Sequence, residues 1–244
     1  AAKRDAQRWK RIEAGVQELA RWLDDQTQRG LAALGSEQAE GWTAMAARMV
    51  DAQAPGLGQR ITQAAELIGA GEGWPARLLD RLGRLQLIVD AVPRRDSLSP
   101  ATRADLRAAL GWPQDREALL ADGERVSDHW LVLGQCLDER DTKLVERHVW
   151  LQGRASGRRA LLLDYSHGGR GFETGWVSGS ERAAVLCFYP GHASQRAVVA
   201  ELPAEAASIA APLAANDEAG EWQRMAQQIA ANPWQPLLPL VWAD

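Results

Sequence analysis

A chain of 244 residues, 46% hydrophobic and 25% charged, has the composition of a folded protein of one or two domains and excludes a disordered chain. Its net charge of −4 is spread without a basic block, which argues against nucleic acid as the main partner. The sequence contains no signal peptide and no apolar run of about 18 residues, so we expect a cytoplasmic protein without a membrane span.

Six helices are predicted in residues 1–124. The first carries an apolar stripe at helical spacing and runs to about Arg29. The members of the stripe are Trp9, Ile12, Val16, Leu19 and Leu23. A second helix is expected from an N-cap at Ser36 to Val50.

Prolines mark the junctions that follow. Ala54 precedes Pro55 and is therefore kept out of the helical region, while Pro55 suits the first turn of a third helix. A fourth helix, with Leu78 and Ile88 on its apolar side, is expected to stop before Pro93.

Two further helix starts are predicted on the same grounds. Ser99 and Pro100 are typical of the N-cap and first residue of a fifth helix, and the Trp-Pro pair at 112–113 would begin a short sixth that ends near Ala121. Short connections indicate antiparallel neighbours. Residues 1–124 are therefore predicted to form a helical domain.

Five strand-like runs follow from about Val126, separated by turn residues. In chain order they read DHWLVLGQCL, KLVERHVWLQ, RRALLLDYS, ERAAVLCFY and QRAVVAEL. Several are apolar on both faces, so they must be covered on two sides. A last helix is expected over Asp217–Ala231. The fold class is thus α+β: an N-terminal helical domain (1–124), then an antiparallel β-sheet domain with a C-terminal helix (125–244).

The clearest hairpin joins Lys143–Gln152 to Arg158–Ser166. A five-residue loop, Gly153–Gly157, would pair residue 152 with 158 and Trp150 with Ala160.

The same register would place ionisable side chains close together on one face of the hairpin. In it Glu146 faces Asp164, and His148 faces Leu162. Two carboxylates and an imidazole could then hold a metal or share a proton. The alternative, which we favour, places both carboxylates near a sheet edge, paired with arginines. A shift of one residue in register removes the site.

Other polar groups have simpler explanations. Asp164, Ser166 and His167 contain the residue types of a nucleophilic triad, but they are sequence neighbours without a nucleophile elbow. The glycine-rich loop after His167 lacks the Lys and helix start of a phosphate cradle. We therefore predict no enzyme activity.

The sequence also argues against a metal site and against a disulfide. Cys136 and Cys187 lie in apolar runs, so we expect both to be buried free thiols. Neither they nor His129 and His192 have the spacing of zinc ligands. No cofactor is expected in this chain.

Some stretches resemble a known family. ELARWLDDQTQRGLAAL and WTAMAARMVDAQAPGL, within 18–57, resemble the region that follows the finger in bacterial SWIM-type zinc finger proteins. The stretch 129–166 and the later FYPG resemble the C-terminal half of the same family. The family's C-x-C and C-x-H zinc motif has no counterpart here. The resemblance therefore implies that zinc is bound only by a finger upstream of residue 1.

The resemblance also implies a role in binding. SWIM fingers are proposed to bind DNA or proteins, and the bacterial members are similar in setting to MoxR-type ATPase and von Willebrand A systems. We expect a non-enzymatic interaction module that binds protein partners. The alternative is an accessory nucleic-acid-binding region, with the basic N-terminus and four arginines as its footprint. Those four are Arg147, Arg154, Arg158 and Arg159.

Overall fold

The computed structural model describes residues 2–31, 34, 39–141, 144–168, 171–172, 174–192, 194–203, 207–209 and 217–241. The chain divides into two compact units. Ala1–Pro113 and Asn232–Pro236 form the helical unit, and Gln114–Ala231 and Leu237–Asp244 form the barrel unit. The α+β class is confirmed. No helix in the described ranges combines the length and apolarity that a membrane span requires.

The described part of the helical unit contains five α-helices and a 3-10 turn at Arg95–Ser97. The α-helices are α1 (Ala2–Arg29), α2 (Ala39–Asp51), α3 (Pro55–Ala65), α4 (Trp74–Ala91) and α5 (Pro100–Ala109). The apolar stripe predicted on α1 is buried, apart from the half-buried Trp9. Ser36, the predicted N-cap of α2, lies outside the described residues.

The proline junctions at Pro55 and Pro100 are confirmed. Ala54 has φ −119°, outside the helical region, and Pro55 opens α3. The hydroxyl of Ser99 accepts a hydrogen bond of 3.1 Å from the backbone N–H of Thr102, which caps α5. These local signals act within one turn of the chain, so the sequence alone was sufficient to locate them.

Tryptophan and arginine side chains stack together in the helical unit. The rings of Trp9 and Trp112 lie 4.8 Å apart. The guanidiniums of Arg8 and Arg107 lie over Trp112, and that of Arg95 lies over Trp9. Cation–π contacts of this kind stabilise partly buried sites and hold the start of α1 near the end of α5.

The barrel unit contains six strands and two helices in its described part. In chain order they are α6 (Arg116–Asp122), β1 (Glu124–Asp141), β2 (Leu144–Gly153), β3 (Arg159–His167), β4 (Ser180–Phe188), β5 (Arg196–Glu201), β6 (Ala207–Ser208) and α7 (Glu218–Ala231). The start predicted for α6 at Trp112-Pro113 is wrong. The carboxylate of Asp115 accepts from the N–H groups of Glu117 and Ala118, so this helix begins at Arg116.

The strands close into a barrel because β1 is long enough to pair twice. Its first part pairs with β4 and its later part with β2, both antiparallel. The remaining order is β2-β3-β5-β4, and β3 pairs with β5 in parallel over two residues. A five-stranded barrel with this connectivity is the architecture of the OB fold. Inward-facing side chains fill it, including Trp130, Val149, Leu162, Leu186 and Phe188.

The predicted register of the β2–β3 hairpin is wrong by one residue. Gln152 pairs with Arg159 and Trp150 with Leu161. The loop has four residues, closed by a 2.9 Å hydrogen bond from the N–H of Gly153 to the carbonyl of Arg158.

A contact with a third strand favours this register. Asp128 on β1 accepts hydrogen bonds from the N–H groups of Ala155 and Ser156 and from the Ser156 hydroxyl, at 2.7–3.1 Å. The carboxylate therefore holds the loop in its four-residue form, and the hairpin sequence by itself does not contain this partner.

One cysteine also departs from expectation. Cys187 is buried, as predicted, and its thiol donates to the carbonyl of Leu119 at 3.0 Å. Cys136 is exposed. It lies on the part of β1 that pairs with β2 alone, beyond the segment covered by β4.

Candidate functional site

The four arginines proposed as a nucleic-acid footprint are all held in ion pairs, each with a different carboxylate. The pairs are Arg147 with Asp164, Arg154 with Glu181, Arg158 with Glu124, and Arg159 with Glu221. A guanidinium already neutralised by the protein gains less from a phosphate. Each of the four arginines thus has a carboxylate partner within the protein, which lowers the positive charge that the set offers to a phosphate.

Arg147 has a structural role. Its buried guanidinium donates to Asp164 and to the carbonyl of Thr174, the latter at 2.7 Å, and lies 4.1 Å from the ring of Phe172. It thereby holds the glycine-rich segment whose Trp176 is buried in the barrel core. Gly168 and Gly179 have φ of +63° and +77°, a left-handed conformation that favours glycine, so the backbone accounts for these two glycines without a phosphate ligand.

The predicted carboxylate cluster is only partly assembled. The Nε2 atom of His148 lies 2.8 Å from a carboxylate oxygen of Glu146, and both residues are buried. With the shifted register, however, Glu146 faces Tyr165, and Asp164 faces Arg147. The expected facing of Glu146 by Asp164 is therefore wrong. Among the described residues, no group of three or more His, Cys, Asp and Glu side chains is arranged to hold a metal.

The residues of the considered triad are separated as well. Asp164 is paired with Arg147, and strand alternation places Ser166 on the same side of β3 as Asp164 but His167 on the other. These three residues lie at the end of a strand that leads into a polar turn, and that position is sufficient to explain their polar residue types.

A groove of about 320 Å³, lined mainly by Arg, Gln and Ser residues, lies between the start of β3, the β4–β5 loop and α7. It contains two of the four candidate arginines. We call it the arginine groove, and its lining residues are Gly157, Arg158, Arg159, Ser194, Gln195, Arg224, Gln227 and Gln228.

Glu221 organises the floor of the arginine groove. Its carboxylate accepts hydrogen bonds from Arg159, from Arg224 and from the N–H of Val241, although its side chain is only 1% exposed. Burial alone would raise the pKa of Glu221. The hydrogen bonds from Arg224, Arg159 and Val241 outweigh burial and hold that pKa far below its ordinary range. The carboxylate is therefore ionised at neutral pH.

Two hydrogen-bond acceptors at the arginine groove are already used by the protein. The carbonyl of Pro239 accepts from Arg159 and Arg224 at 2.9 and 2.8 Å. The side-chain oxygen of Gln228 accepts from Gln195 and from Arg224. What the groove presents to a ligand is consequently rich in donors.

Charge in the arginine groove is locally positive. Three guanidiniums, those of Arg158, Arg159 and Arg224, are matched by two carboxylates, those of Glu124 and Glu221. The surroundings are acidic, since residues 114–244 hold 12 Lys and Arg against 18 Asp and Glu. The groove is thus a local cationic site in an acidic unit.

Sequence reasoning missed the contribution of α7 to the arginine groove. Glu221, Arg224 and Gln228 are spaced at i, i+3 and i+7, which places them on one helix face. That spacing in the sequence predicts a polar face on the helix. It does not indicate which strand the polar face packs against.

Comparison with known proteins gives one match. Residues 7–110 match the family model of the SWIM-associated four-helix bundle domain, a range that spans α1 to α5. Neither the curated proteins nor the solved structures gave a match. The predicted resemblance to the region associated with SWIM zinc finger proteins is confirmed over residues 7–110.

Proposed function

We propose that this chain, which carries an accessory domain of SWIM proteins at residues 7–110, is a non-enzymatic interaction module whose barrel unit binds a protein partner through the arginine groove. The partner would belong to the MoxR-type ATPase or von Willebrand A system that the family resemblance implies. Zinc in the whole protein would belong to an upstream finger. The helical unit would serve as the domain shared with other SWIM proteins.

The observation that carries this proposal is the arginine groove itself. Its donors are held in place by Glu221 and by the carbonyl of Pro239, so few side chains need to be ordered when a ligand binds. Its volume is at the lower end of ligand pockets, which suits one or two side chains of a polypeptide.

The groove chemistry also favours binding over catalysis. The carboxylate of Glu221 is kept ionised by two arginines, so it is a poor proton donor near neutral pH. Ser194 supplies a hydroxyl, but the described lining residues include no imidazole to activate it.

Nucleic acid is the second candidate, favoured by the barrel architecture. OB-fold barrels bind oligonucleotides across the face of strands 2 and 3. In this chain that face carries Glu146, and Arg159 at its end is paired with Glu221 on α7. These charges oppose a phosphate backbone, so we favour the protein partner.

Photo-crosslinking in the full-length protein tests the proposal. A photoreactive residue would replace Gln227 in the wall of the arginine groove, with Ala219 on α7 as the matched control. Ala219 is exposed and lies two helical turns, about 12 Å, from position 227. We expect a specific protein adduct from position 227 only, and direct binding when that partner is purified.

Three results separate the candidates. A protein adduct at 227 and none at 219, followed by binding between purified components, supports the proposal. An adduct that nuclease removes would support the nucleic-acid alternative. Equal adducts at both positions, or none at either, would contradict binding at this groove.

A further inference from the structure

We propose that the arginine groove recognises a carboxylate, supplied by an acidic side chain of the protein partner. This inference rests on the proposed function and adds the chemical class of the group that is bound.

Donors outnumber open acceptors in the groove. Both oxygens of Glu221 and the side-chain oxygen of Gln228 already accept hydrogen bonds from neighbouring side chains. The described residues supply no acceptor to the amide nitrogen of Gln228 or to the side chain of Gln227. A ligand that offers only acceptors therefore fits the groove best, and an ionised carboxylate is such a group.

Two of the three arginines that line the groove are accessible, and all three are held in ion pairs. The side chains of Arg158 and Arg224 are 28% and 23% exposed, whereas that of Arg159 is buried at 6%. Arg158 also stacks over Phe188 at 3.6 Å. Arg158 already pairs with both oxygens of Glu124, and Arg224 donates to Glu221, Gln228 and the carbonyl of Pro239. Each guanidinium carries five N–H groups, so a ligand carboxylate would accept from the N–H groups of Arg158 and Arg224 that remain.

The charge balance favours one carboxylate over a phosphate chain. The groove has one guanidinium in excess of its two carboxylates, so a single negative charge would neutralise it. A nucleic acid strand would extend its other phosphates over a unit with six more acidic than basic residues, from 18 against 12. An isolated acidic side chain avoids that repulsion.

Peptide binding to the 244-residue chain provides the test. The probe is a fluorescein-labelled hexapeptide with blocked ends and two central glutamates, and its counterpart has glutamines in their place. We expect the Glu peptide to bind on the order of ten-fold more tightly by fluorescence anisotropy, as one charge-assisted pair implies. Added salt should weaken the Glu peptide much more than the Gln peptide.

Charge-changing substitutions in and away from the groove test whether the Glu peptide binds there. Gln227→Glu places a negative charge in the groove wall without removing a known contact, and Ala219→Glu places the same charge about 12 Å away, beyond a Debye length of about 8 Å. We expect Gln227→Glu to weaken the Glu peptide about ten-fold and Ala219→Glu to leave it unchanged. Arg158→Gln, which leaves the Glu221 cluster intact, should also weaken binding. Melting curves verify that all three variants fold.

Several outcomes would overturn the inference. The first is equal binding of the Glu and Gln peptides, and the second is an equal effect of Gln227→Glu and Ala219→Glu on binding. The third is displacement of the labelled Glu peptide by a single-stranded oligonucleotide but not by unlabelled Glu peptide. The proposed function is judged separately. A protein crosslinked at position 227 that binds as well to Gln227→Glu would refute the carboxylate but keep the partner, whereas the absence of any crosslink refutes both.

Discussion

Glu221 on α7 forms an ion pair with Arg159 on β3, and both side chains are almost completely buried. The pair attaches a helix from the C-terminal part of the chain to the outer face of the barrel. Burial of an ion pair costs desolvation energy, which is repaid only when further hydrogen bonds complete the site. Here Arg224, Val241 and Pro239 supply those bonds.

We expect Glu221→Gln to destabilise the chain by about 3–5 kcal/mol, because it leaves the guanidinium of Arg159 buried without a counter-charge. Urea denaturation followed by circular dichroism measures this change. Glu218→Gln, on the exposed side of α7, is the control and should cost less than about 1 kcal/mol. Equal unfolding midpoints for the two variants would show that the buried pair contributes no more than a surface charge.

A second prediction concerns pH and Asp128. Burial would raise the pKa of this carboxyl, but hydrogen bonds from the Ser156 hydroxyl and from the N–H groups of Ser156, Ala155 and His129 lower it overall. Because the folded pKa lies below the unfolded value of about 3.9, the contribution to stability is fully present above that pH. It is lost as pH falls through the folded pKa.

The measurement compares the unfolding free energy of the parent and of Asp128→Asn between pH about 6 and 2. We expect the variant to be less stable at neutral pH, and the difference to shrink as the parent carboxyl is protonated. A difference that stays constant over this range would mean that the ionised Asp128 is not what holds the hairpin loop.

A third prediction concerns the seam of α1. Val16 and Leu19 are buried at 3% and 0% exposure, so replacing both by Ala should cost several kcal/mol, with about 2–5 from the leucine. Gln17→Ala, on the exposed side of the same helix, should have little effect. A double variant that melts like the parent would contradict the packing of α1.

A fourth prediction compares two alanines of the β2–β3 hairpin. Ala160 is fully buried opposite Leu151 inside the barrel, whereas Ala155 is exposed in the loop. Ala160→Trp should therefore cost about 1–3 kcal/mol or more through overpacking, and Ala155→Trp should cost little. Thermal unfolding of both variants gives the comparison. Greater damage from Ala155→Trp would place the loop elsewhere.

A fifth prediction concerns zinc. Neither cysteine has a second thiol or a histidine at a zinc-ligand spacing, so we expect this chain to bind no stoichiometric zinc. Elemental analysis of protein purified without a metal-affinity tag checks this. One equivalent of zinc per chain that survives dialysis against a chelator would contradict the ligand argument.

Signals that act over a few residues were sufficient to predict most of the secondary structure. The stripe on α1, the proline at Pro55, the Ser99 cap and the helix at Glu218–Ala231 depend on periodicity and local hydrogen bonds, both encoded within single elements. The five main strands were predicted on the same basis. The two-residue β6 was missed because so short a run has no detectable period.

Only the tertiary structure decided the register of the hairpin and the location of the arginine groove. The hairpin loop is held by Asp128 from another strand, and a shift of one residue changed the partner of Glu146 from Asp164 to Tyr165. Closure of the barrel depends on β1 pairing with β4, whose partner residues lie 50 to 64 positions later in the sequence. Contacts of this kind depend on packing between segments that are distant in sequence. Hydrophobic periodicity indicates only the secondary structure of the segment in which it occurs.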